Sequence, residues 1–437
     1  MRRRAFLGRS LGLAGAGMLG GLAGCRSGGE ARRARSVLAS ADDAFLERLS
    51  RETFRYFVEA AHPETGQVLD RRLADGGADA RRVASIAATG FGLTALCVAE
   101  ARGWASGGAI REQVRRTLRF LAGSMETVHG FLYHFHDWET GERVWNCELS
   151  SIDTAILLCG ALACRAYFDD EEIGGLATRL YERVEWPWML AGEDTFSMGW
   201  FPERGFIRSR WDHYCELMML YLLALGSPTH PVEPGAWRAW TRPVRTYYGE
   251  RFVWSPAPLF VHQFSHAWFD FRGWMDGGVD WFANSAAATR AHVAWSLDRR
   301  DRFPWWSEDL WGVTSSDSQR GYVGWGGPPD SGPLDGTVVP CAAAGSLPFE
   351  PGACLRTLRH QRERYGDRIR GRYGFVDAFH PGTGWVNPDV IGIDLGITLL
   401  MAENLRTGLV WRIMGGDAAV RGGMARAAAA APTETPG

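Results

Sequence analysis

The most constraining feature of this sequence is an uninterrupted apolar run at residues 217–225. As a helix, the run is hydrophobic on every face, so other elements must enclose it. One acid, Glu216, stands directly before the run, and a polar and aromatic segment, 211–215, leads up to it. Burying a carboxylate there is costly unless the group is paired, protonated or open to a cleft. The pattern therefore predicts an interior helix with a functional carboxyl group at its mouth.

The composition indicates a globular chain with a large core. The chain has 437 residues, of which 46% are hydrophobic, and a formal net charge of -2. This charge, without a long basic run, argues against a nucleic-acid partner. The chain is rich in glycine (54) and tryptophan (20). Many of the tryptophans lie in polar loops, where an indole either stacks on a ligand or fills the wall of a core, and composition leaves both roles open.

Residues 1–25 have the pattern of an export signal. A charged start is followed by an apolar stretch, 11–22, that is too short to span a bilayer comfortably. The arginines at positions 2–4 resemble a twin-arginine signal, and the segment ending in Cys25 resembles a bacterial lipobox. We expect an exported protein of the bacterial cell envelope, lipid-anchored at Cys25 and facing the periplasm or the cell surface. An uncleaved anchor helix is the alternative.

The pattern of helices predicts the architecture of the remaining chain. Residues 26–41 are predicted to be a flexible tether, 42–415 one domain, and 416–437 a disordered tail. Helical periodicity recurs near 42–60, 83–103, 108–126, 150–168, 170–187, 211–226, 233–247, 259–275, 280–300, 337–346, 350–365 and 390–406. Long loops follow alternate helices, as expected for loops that line a site. About twelve helices arranged in this way predict an all-α (α/α)6 toroid, a double ring with a cleft at one end, and we expect a monomer. Eight short Val/Ile runs, which an α/β barrel needs, are not found.

Seven cysteines follow Cys25, an odd number without a CxxC pair. Most lie in apolar helical context, where cysteine behaves as a small hydrophobic residue. The pattern does not favour a zinc site or a disulfide framework.

Two acids flank the start of a second apolar helix. Ser150 and Asp153 have the spacing of a capping box, so Asp153 has a structural role available as well as a catalytic one. Glu148, on the loop side of the cap, is then the freer carboxylate. If this helix starts at the cleft, both acids face the ligand.

A third apolar helix repeats the theme with Asp394 at its head. Glu403 follows nine residues later, which turns it to the opposite face of a regular helix. We therefore expect Asp394 at the mouth, and Glu403 inside the bundle, paired with an arginine or acting as a cap.

Three polar residues recur at four-residue spacing in the segment 259–275: His262, His266 and Asp270. Histidines at positions i and i+4 can bind a metal, but the glutamate of the H-E-x-x-H motif is missing. Interior or substrate-binding histidines are the favoured interpretation. No metal or other cofactor is expected.

The loop at 311–328 has the composition of an aromatic binding platform, with Trp311, Asp317, Tyr322 and Trp325. Its glycines do not form a phosphate-binding loop, because no Gly-Lys-Ser/Thr follows them. A nucleophilic serine is also unsupported, since the chain has no G-x-S-x-G elbow.

Acids at the ends of apolar helices, surrounded by aromatic, histidine and arginine side chains, suit glycosidic cleavage. One carboxylic acid protonates the leaving oxygen, and a second carboxylate activates water or attacks the sugar. An apolar surrounding raises the pKa of a carboxyl group and keeps it protonated. Glu216 has that surrounding and is the predicted general acid.

Seven runs of the sequence resemble the putative glucoamylase family, which includes bacterial endo-β-1,2-glucanases and is similar to a central domain of cyclic β-1,2-glucan synthases. They are ASIAATGFGL (84–93), GFLYHF (130–135), ELSSIDTA (148–155), YCELMMLYLLALGSPTHP (214–231), FVHQFSHAWFDFR (260–272), DGTVVP (335–340) and ENLRTGLVW (403–411). The resemblance covers roughly residues 45–412. It implies an (α/α)6 toroid and hydrolysis of a glucan, with β-1,2-glucan as the favoured substrate.

The resemblance implies four candidate catalytic acids: Glu148, Asp153, Glu216 and Asp394. With Glu216 as the acid, Asp153 or Glu148 would activate water, and Asp394 is the next choice. Inversion is the favoured outcome, which predicts carboxyl groups about 6.5–9.5 Å apart. The candidate substrate-binding residues are Trp211, His213, Tyr214, His134, His262, His266, Asp270, Arg272, Trp311, Asp317, Tyr322, Trp325, Asp335 and Trp385. A glycan-binding lipoprotein without activity and a polysaccharide lyase on the same toroid are the alternatives.

Overall fold

The computed structural model describes residues 38–256, 258–329 and 332–430. Cys25, the export segment and most of the predicted tether lie outside the described residues. The α-helices of the described residues are α1 (Ser40–Glu59), α2 (Ile86–Arg102), α3 (Gly107–Gly123), α4 (Ser151–Tyr167), α5 (Glu171–Glu182), α6 (Trp186–Leu190), α7 (Met218–Gly226), α8 (Gly235–Ala239), α9 (Phe264–Trp268), α10 (Trp281–Leu297), α11 (Pro340–Ala344), α12 (Pro351–Tyr365), α13 (Gly392–Thr407), α14 (Leu409–Gly416) and α15 (Ala418–Ala429). Two 3-10 helices, Leu259–His262 and Gly366–Arg368, complete the helical set there.

The helices form two concentric rings. In the inner ring, α2 contacts α4, α4 contacts α7, α7 contacts α9, and α13 contacts both α11 and α2, which closes the circle. The Gln263 amide donates to the Ala342 carbonyl oxygen (2.9 Å) and links α9 to α11. Helices α1, α3, α5, α8, α10 and α12 alternate with these along the chain and form the outer ring. This arrangement confirms the predicted all-α (α/α)6 toroid.

The inner helices are apolar on all sides because neighbours surround them. All but the last residue of α7 are buried, and α2, α4 and α13 are buried along most of their length. An outer helix such as α3 buries only one stripe, formed by Ile110, Val114, Thr117, Leu118 and Leu121. The two patterns are those expected for an enclosed and a surface helix, respectively.

The strands are short, and all except β9 and β10 lie in the connections from an outer helix to the next inner helix. They are β1 (Arg71–Leu73), β2 (Val83–Ser85), β3 (Phe135–Asp137), β4 (Leu149–Ser150), β5 (Gly199–Phe201), β6 (Gly205–Phe206), β7 (Val244–Tyr247), β8 (Glu250–Val253), β9 (Met275–Asp276), β10 (Val279–Asp280), β11 (Ser316–Ser318), β12 (Gly321–Val323), β13 (Arg370–Gly371), β14 (Gly374–Phe375), β15 (Phe379–His380), β16 (Trp385–Val386) and β17 (Asp389–Ile391). Strands β2, β4 and β17 lead directly into the inner helices α2, α4 and α13. The antiparallel pairs β1–β17 and β2–β3 therefore fix the positions where these helices begin.

Three predicted helices are shorter than expected. The helix predicted at 211–226 begins only at Met218, because the preceding segment is held extended: the Tyr214 N–H donates to the Thr241 carbonyl oxygen (3.0 Å). The helix predicted at 233–247 ends at Ala239, and β7 and β8 form a hairpin instead, with left-handed backbone at its turn residues Tyr248 and Gly249. The segment predicted at 259–275 contains a 3-10 turn and the five-residue α9.

The predicted disordered tail, 416–437, is wrong for its first part, because residues 418–429 form α15. This helix packs closely on α7, where a Cβ atom at Gly423 would collide with the Leu222 carbonyl oxygen. Asp417 caps α15 by accepting from the Ala419 N–H (2.9 Å) and also pairs with Arg165 (2.7 Å). The small residues in this segment allow the two helices to pack closely. The sequence analysis interpreted the same residues as part of a disordered tail.

The seven cysteines of the described residues are free, and all except the half-buried Cys215 are buried. They act as small hydrophobic residues, as predicted. Within the described residues, no helix combines the length and hydrophobicity needed to cross a bilayer.

Candidate active site

A cavity of about 360 Å³ opens at the N-terminal ends of the inner helices. Its walls are formed by the first turns of α2, α4, α9 and α13 and by Glu216, two residues before α7. The polar side chains that line it are Asp70, Arg71, Ser85, His134, Asp153 and Glu216. Its apolar wall includes Phe135, Phe260, Phe264 and Tyr322. Acidic, aromatic and cationic groups therefore converge at the end of the toroid where the sequence predicted a cleft.

Glu216 lies in the turn just before α7 and faces this cavity. Ser265 fixes the turn, because its hydroxyl donates to the Glu216 carbonyl oxygen (2.7 Å) and accepts from the Met219 N–H (3.0 Å). Burial raises the pKa of the Glu216 carboxyl from 4.5 to about 7, and the charge of Asp153 acts in the same direction. None of the groups that act on this pKa is a cation. Glu216 can therefore carry a proton near neutral pH.

Asp153 is the third residue of α4 and serves as part of a helix cap while it lines the cavity. The Ser150 hydroxyl accepts from the Asp153 N–H (3.2 Å) and donates to the Asp153 carboxylate (2.5 Å). The bond from the Asp153 N–H to Ser150 confirms this half of the predicted capping box. The Asp153 carboxylate nevertheless lines the cavity. Its structural role and its exposure to the cavity are compatible.

His134 connects two of the predicted acids. Its Nδ1 lies 3.0 Å from Glu148 Oε1 and its Nε2 3.6 Å from Asp153 Oδ2. Burial lowers the pKa of His134, but the charges of Asp153 and Glu148 outweigh this effect and raise it to about 9. The imidazolium in turn lowers the pKa of Glu148. Glu148 is not among the cavity-lining residues, so its direct contact is with His134 rather than with the cavity.

Arg71 and Asp70 are cavity residues that the sequence analysis did not select. The Arg71 guanidinium donates to Asp70 (3.0 Å) and to Asp317 (2.8 Å). Asp317 itself supports the wall from behind and also accepts from the Asn387 amide (3.2 Å). A pairing between β1 and β17, which are more than 300 residues apart, brings Arg71 here. The sequence contained no local signal for such a contact.

Asp394 lies in a separate, narrow space of about 20 Å³ beside the main cavity. Burial raises its pKa to about 6, and a hydrogen bond joins it to Asp377, whose pKa is raised well above its usual range by burial and by the charge of Asp394. The Cys341 thiol also contacts Asp394. One proton shared between the two carboxyl groups explains their burial. The sequence analysis did not select Asp377 and missed this pair.

Glu403 forms a different contact. Its carboxylate pairs with Arg102 (2.7 Å) in the interior, which confirms its predicted role inside the bundle.

Several predicted substrate-binding residues are interior. The structure buries Trp211, Tyr214, His262, His266, Trp311 and Trp325. Trp211 donates to Ser151 (2.8 Å) and Trp325 to Ser316 (2.9 Å), so both indole N–H groups are satisfied within the protein. Trp311 packs near His292 in the core. The indole groups of Trp211, Trp311 and Trp325 are therefore part of the packed core and are not exposed to a ligand.

The two histidines of the predicted stripe are also interior, because they lie in the 3-10 helix Leu259–His262 and in the inner helix α9. His262 bonds to the Tyr214 hydroxyl (3.1 Å) and His266 to Ser285 (2.9 Å), and burial lowers the pKa of both to about 3. In the described residues, no group of three or more His, Cys, Asp or Glu side chains is arranged to hold a metal ion.

The remaining predicted residues lie outside the cavity lining. Asp270 pairs with Arg272 (2.8 Å) and His213 with Asp212 (2.7 Å), all of them at least partly exposed. Asp335 caps a turn by accepting from the Thr337 N–H (2.8 Å). Trp385 lies in the β15–β16 hairpin. Of the predicted binding residues, His134 and Tyr322 line the cavity, and Asp317 supports it.

The chain is similar in sequence to known proteins. The sequence model of the family described as putative glucoamylase matches residues 208–417. An exo β-1,2-glucooligosaccharide sophorohydrolase (non-reducing end) of Parabacteroides distasonis is 27% identical over 413 residues, covering 85% of this chain and 56% of the relative. The chain thus spans only 56% of the length of that relative.

Two solved structures have the same fold along nearly their whole length. A putative glucoamylase from Bacteroides uniformis superposes with a TM-score of 0.83 at 29% identity, covering 90% of this chain and 98% of the other. The endo-β-1,2-glucanase from Chitinophaga pinensis, in complex with sophorotriose and glucose, gives a TM-score of 0.81 at 26% identity, covering 89% and 99%. These matches confirm the resemblance to the putative glucoamylase family that the sequence motifs predicted.

Proposed function

We propose that this protein is a glycoside hydrolase that cleaves β-1,2-glucan. The observation that carries the proposal is the presence of two carboxyl groups with different surroundings in one cavity. Burial raises the pKa of Glu216 to about 7, while Asp153 lies in a hydrogen-bonded cap beside a charged histidine. Pairs of acids whose surroundings differ in this way supply the acid and the base of glycoside hydrolysis. The names of the sophorohydrolase and the endo-β-1,2-glucanase support β-1,2-glucan as the substrate.

In the proposed reaction, Glu216 is the general acid. Its carboxyl O–H bond breaks as the proton passes to the glycosidic oxygen, and the bond between that oxygen and the anomeric carbon breaks. A water molecule forms the new bond to the anomeric carbon, and Asp153 accepts the proton that the water loses. This sequence inverts the anomeric configuration. Proton exchange with solvent then restores both carboxyl groups.

His134 and Arg71 have supporting roles in this proposal. The His134 imidazolium lies 3.6 Å from the Asp153 carboxylate and orients that group. Arg71 is held in place by Asp70 and Asp317 and can donate to sugar hydroxyl groups with the guanidinium hydrogens that these acids leave free.

The charge of the cavity argues against the polysaccharide lyase alternative. A lyase acting on uronic acids needs cations to bind the substrate carboxylates. Here Asp70 and Asp153 line the cavity beside Glu216. The two cations of the cavity lining are already paired with acids: Arg71 with Asp70 and Asp317, and His134 with Glu148 and Asp153. A neutral glucan avoids the repulsion that a polyanion would meet.

The test is incubation of the purified protein with linear β-1,2-glucan and, separately, with laminarin and starch. We expect new reducing ends from β-1,2-glucan alone, and their loss in Glu216→Gln. Saccharide binding without new reducing ends would instead support a glycan-binding protein, and an unsaturated product that absorbs in the ultraviolet would support a lyase.

We also propose that the protein is exported, lipid-anchored at Cys25 and monomeric. The lipobox-like segment before Cys25 supports the anchor, and the arginines at positions 2–4 support the export route. Cys25→Ser is expected to release the protein from the membrane fraction and to abolish incorporation of labelled fatty acid. Light scattering of the released protein is expected to give the mass of one chain.

A further inference from the structure

The most exposed large hydrophobic side chain among the described residues is Trp145, whose relative exposure is 68%. It lies in the loop between β3 and β4, next to the wall of the main cavity. An indole in this position contributes little to the core, and burying it elsewhere would be favourable. Its exposure therefore calls for a role outside folding.

The backbone at Trp145 is also costly. The Cys147 N–H donates to the Val144 carbonyl oxygen (3.1 Å) and closes a turn whose two central residues, Trp145 and Asn146, have φ angles of 56° and 47°. Positive φ at both central positions defines a type I′ turn, in which Asn, Asp or Gly is preferred. Asn146 satisfies this preference, but a bulky tryptophan does not. Strained residues that persist in this way concentrate at functional sites.

The turn is firmly held. Arg143 donates to the Cys147 carbonyl oxygen (2.6 Å), pairs with Glu203 (2.6 Å) and lies over the Tyr133 ring. The Cys147 thiol contacts the Phe135 backbone, accepting from its N–H (3.3 Å). The indole therefore projects from a fixed base, which reduces the entropy lost when it binds a ligand.

A row of rings leads from Trp145 to the acids. Its indole lies edge-on to Phe135, with ring centroids 5.1 Å apart, and Phe135 lines the cavity. On its other side, Phe135 stacks on His134 (3.8 Å, 14°), whose Nε2 approaches Asp153. Trp145 is thus one ring outside the cavity wall, and its indole is exposed to solvent.

We propose that Trp145 is the platform of an outer subsite, which binds a glucosyl unit of a long β-1,2-glucan beyond the units held at Asp153 and Glu216. The inference rests on the proposed function and extends it to the length of the substrate. The apolar C–H face of a glucosyl ring packs on an indole, while its hydroxyl groups stay in water. Such a subsite selects long chains and has no effect on the chemical step.

The test compares Trp145→Ala with a matched control, Tyr248→Ala. Tyr248 is also an exposed aromatic residue with positive φ (53°) in a tight turn, but it lies in the β7–β8 hairpin, outside the cavity lining. We expect Trp145→Ala to raise KM for long β-1,2-glucan about three- to tenfold and to leave kcat unchanged. For the shortest oligosaccharide that the wild type cleaves, KM and kcat of Trp145→Ala should equal those of the wild type. Trp145→Phe should retain most of the preference for long chains. Tyr248→Ala should have the KM and kcat of the wild type for both substrates.

A binding measurement separates this inference from the proposed catalytic roles. In the Glu216→Gln background, long β-1,2-glucan is expected to quench tryptophan fluorescence and to bind about three- to tenfold more weakly after Trp145→Ala. This result does not depend on cleavage, so it survives even if Glu216 is not the acid. Equal losses for short and long chains, or no loss for either, would overturn the outer subsite. Thermal unfolding of each variant checks that the fold is retained.

Discussion

The inner helices α7 and α13 both begin beside a carboxyl group with a raised pKa, but the surroundings of these two groups differ. Glu216 faces a cavity of about 360 Å³, together with Asp153. Asp394 faces a space of about 20 Å³ and bonds to Asp377. Burial is the largest cause of the raised pKa in both cases, to about 7 and about 6.

The difference shows that a raised pKa alone does not indicate that a carboxyl group faces the main cavity. A proton on Glu216 has no protein carboxylate to bridge and is available to a substrate in the cavity. The proton shared by Asp377 and Asp394 already makes a hydrogen bond between two protein groups. Asp377 also accepts from the Asp317 N–H (2.8 Å), and Asp317 holds Arg71. The Asp377–Asp394 pair therefore supports the cavity wall, while Glu216 faces the cavity itself.

The largest expected effect separates these two regions directly. Glu216→Gln removes the proton donor and keeps the size of the side chain, so kcat on β-1,2-glucan should fall about 10²- to 10⁴-fold. The measurement is the initial rate of reducing-end release, with unchanged saccharide binding as the control. A rate close to that of the wild type would show that Glu216 does not donate the proton.

Asp153→Asn should lower kcat about 10²-fold, because the amide cannot accept a proton from water. Glu148→Gln is the matched control, since Glu148 contacts His134 and is not in the cavity lining. We expect its loss of kcat to be much smaller. A larger loss for Glu148→Gln than for Asp153→Asn would reverse the assignment of the base.

Glu216→Gln should also change stability, with a sign set by pH. The folded-state pKa of about 7 lies above the ordinary value of 4.5, so folding favours the protonated form. This contribution is fully present below pH 4.5 and is lost as pH rises through 7, where the folded state must bury a carboxylate. We expect the variant to be more stable than the wild type by about 1–3 kcal/mol at alkaline pH and equally stable at acidic pH.

Urea unfolding at both pH values measures this effect, and Glu148→Gln provides a control of opposite sign. The hydrogen bond from His134 lowers the pKa of Glu148. The charged Glu148 carboxylate therefore stabilises the fold at pH values above its ordinary pKa, and this contribution is lost as pH falls. The control should be less stable than the wild type at neutral pH. A Glu216→Gln variant that is less stable at alkaline pH would contradict the burial of this carboxyl group.

Asp394→Asn should have the smallest effect on catalysis. An asparagine amide can donate to Asp377 as the shared proton does, so the wall and Arg71 stay in place. We expect kcat to fall less than about tenfold. A loss as large as that of Glu216→Gln would show that Asp394 takes part in the chemical step, and the contrast between the two regions would fail.

The pH dependence of the wild type sharpens the same contrast. If Glu216 acts as the acid, kcat/KM should fall as pH rises through about 7, because its proton is then lost. A basic limb near 6 would instead point to Asp394.

The sequence predicted the toroid and the acids at the heads of its inner helices, because both depend on local patterns. An all-apolar run such as 217–225 must be enclosed, and an acid beside it is conspicuous. It did not predict the roles of Arg71 and Asp377. The partner of Arg71, Asp317, lies 246 residues further along the chain, and the contact between Asp377 and Asp394 depends on how the strands between them fold. Composition also could not show whether a loop indole faces the core, as Trp311 does, or solvent, as Trp145 does.

The most direct test of the central claim is a crystal structure of Glu216→Gln with a bound β-1,2-glucan oligosaccharide. The account predicts that a glycosidic oxygen lies within hydrogen-bond distance, about 3 Å, of the residue 216 side chain, with space for a water molecule between the anomeric carbon and Asp153. An oligosaccharide bound away from this cavity, with its glycosidic bonds out of reach of both residues, would contradict it.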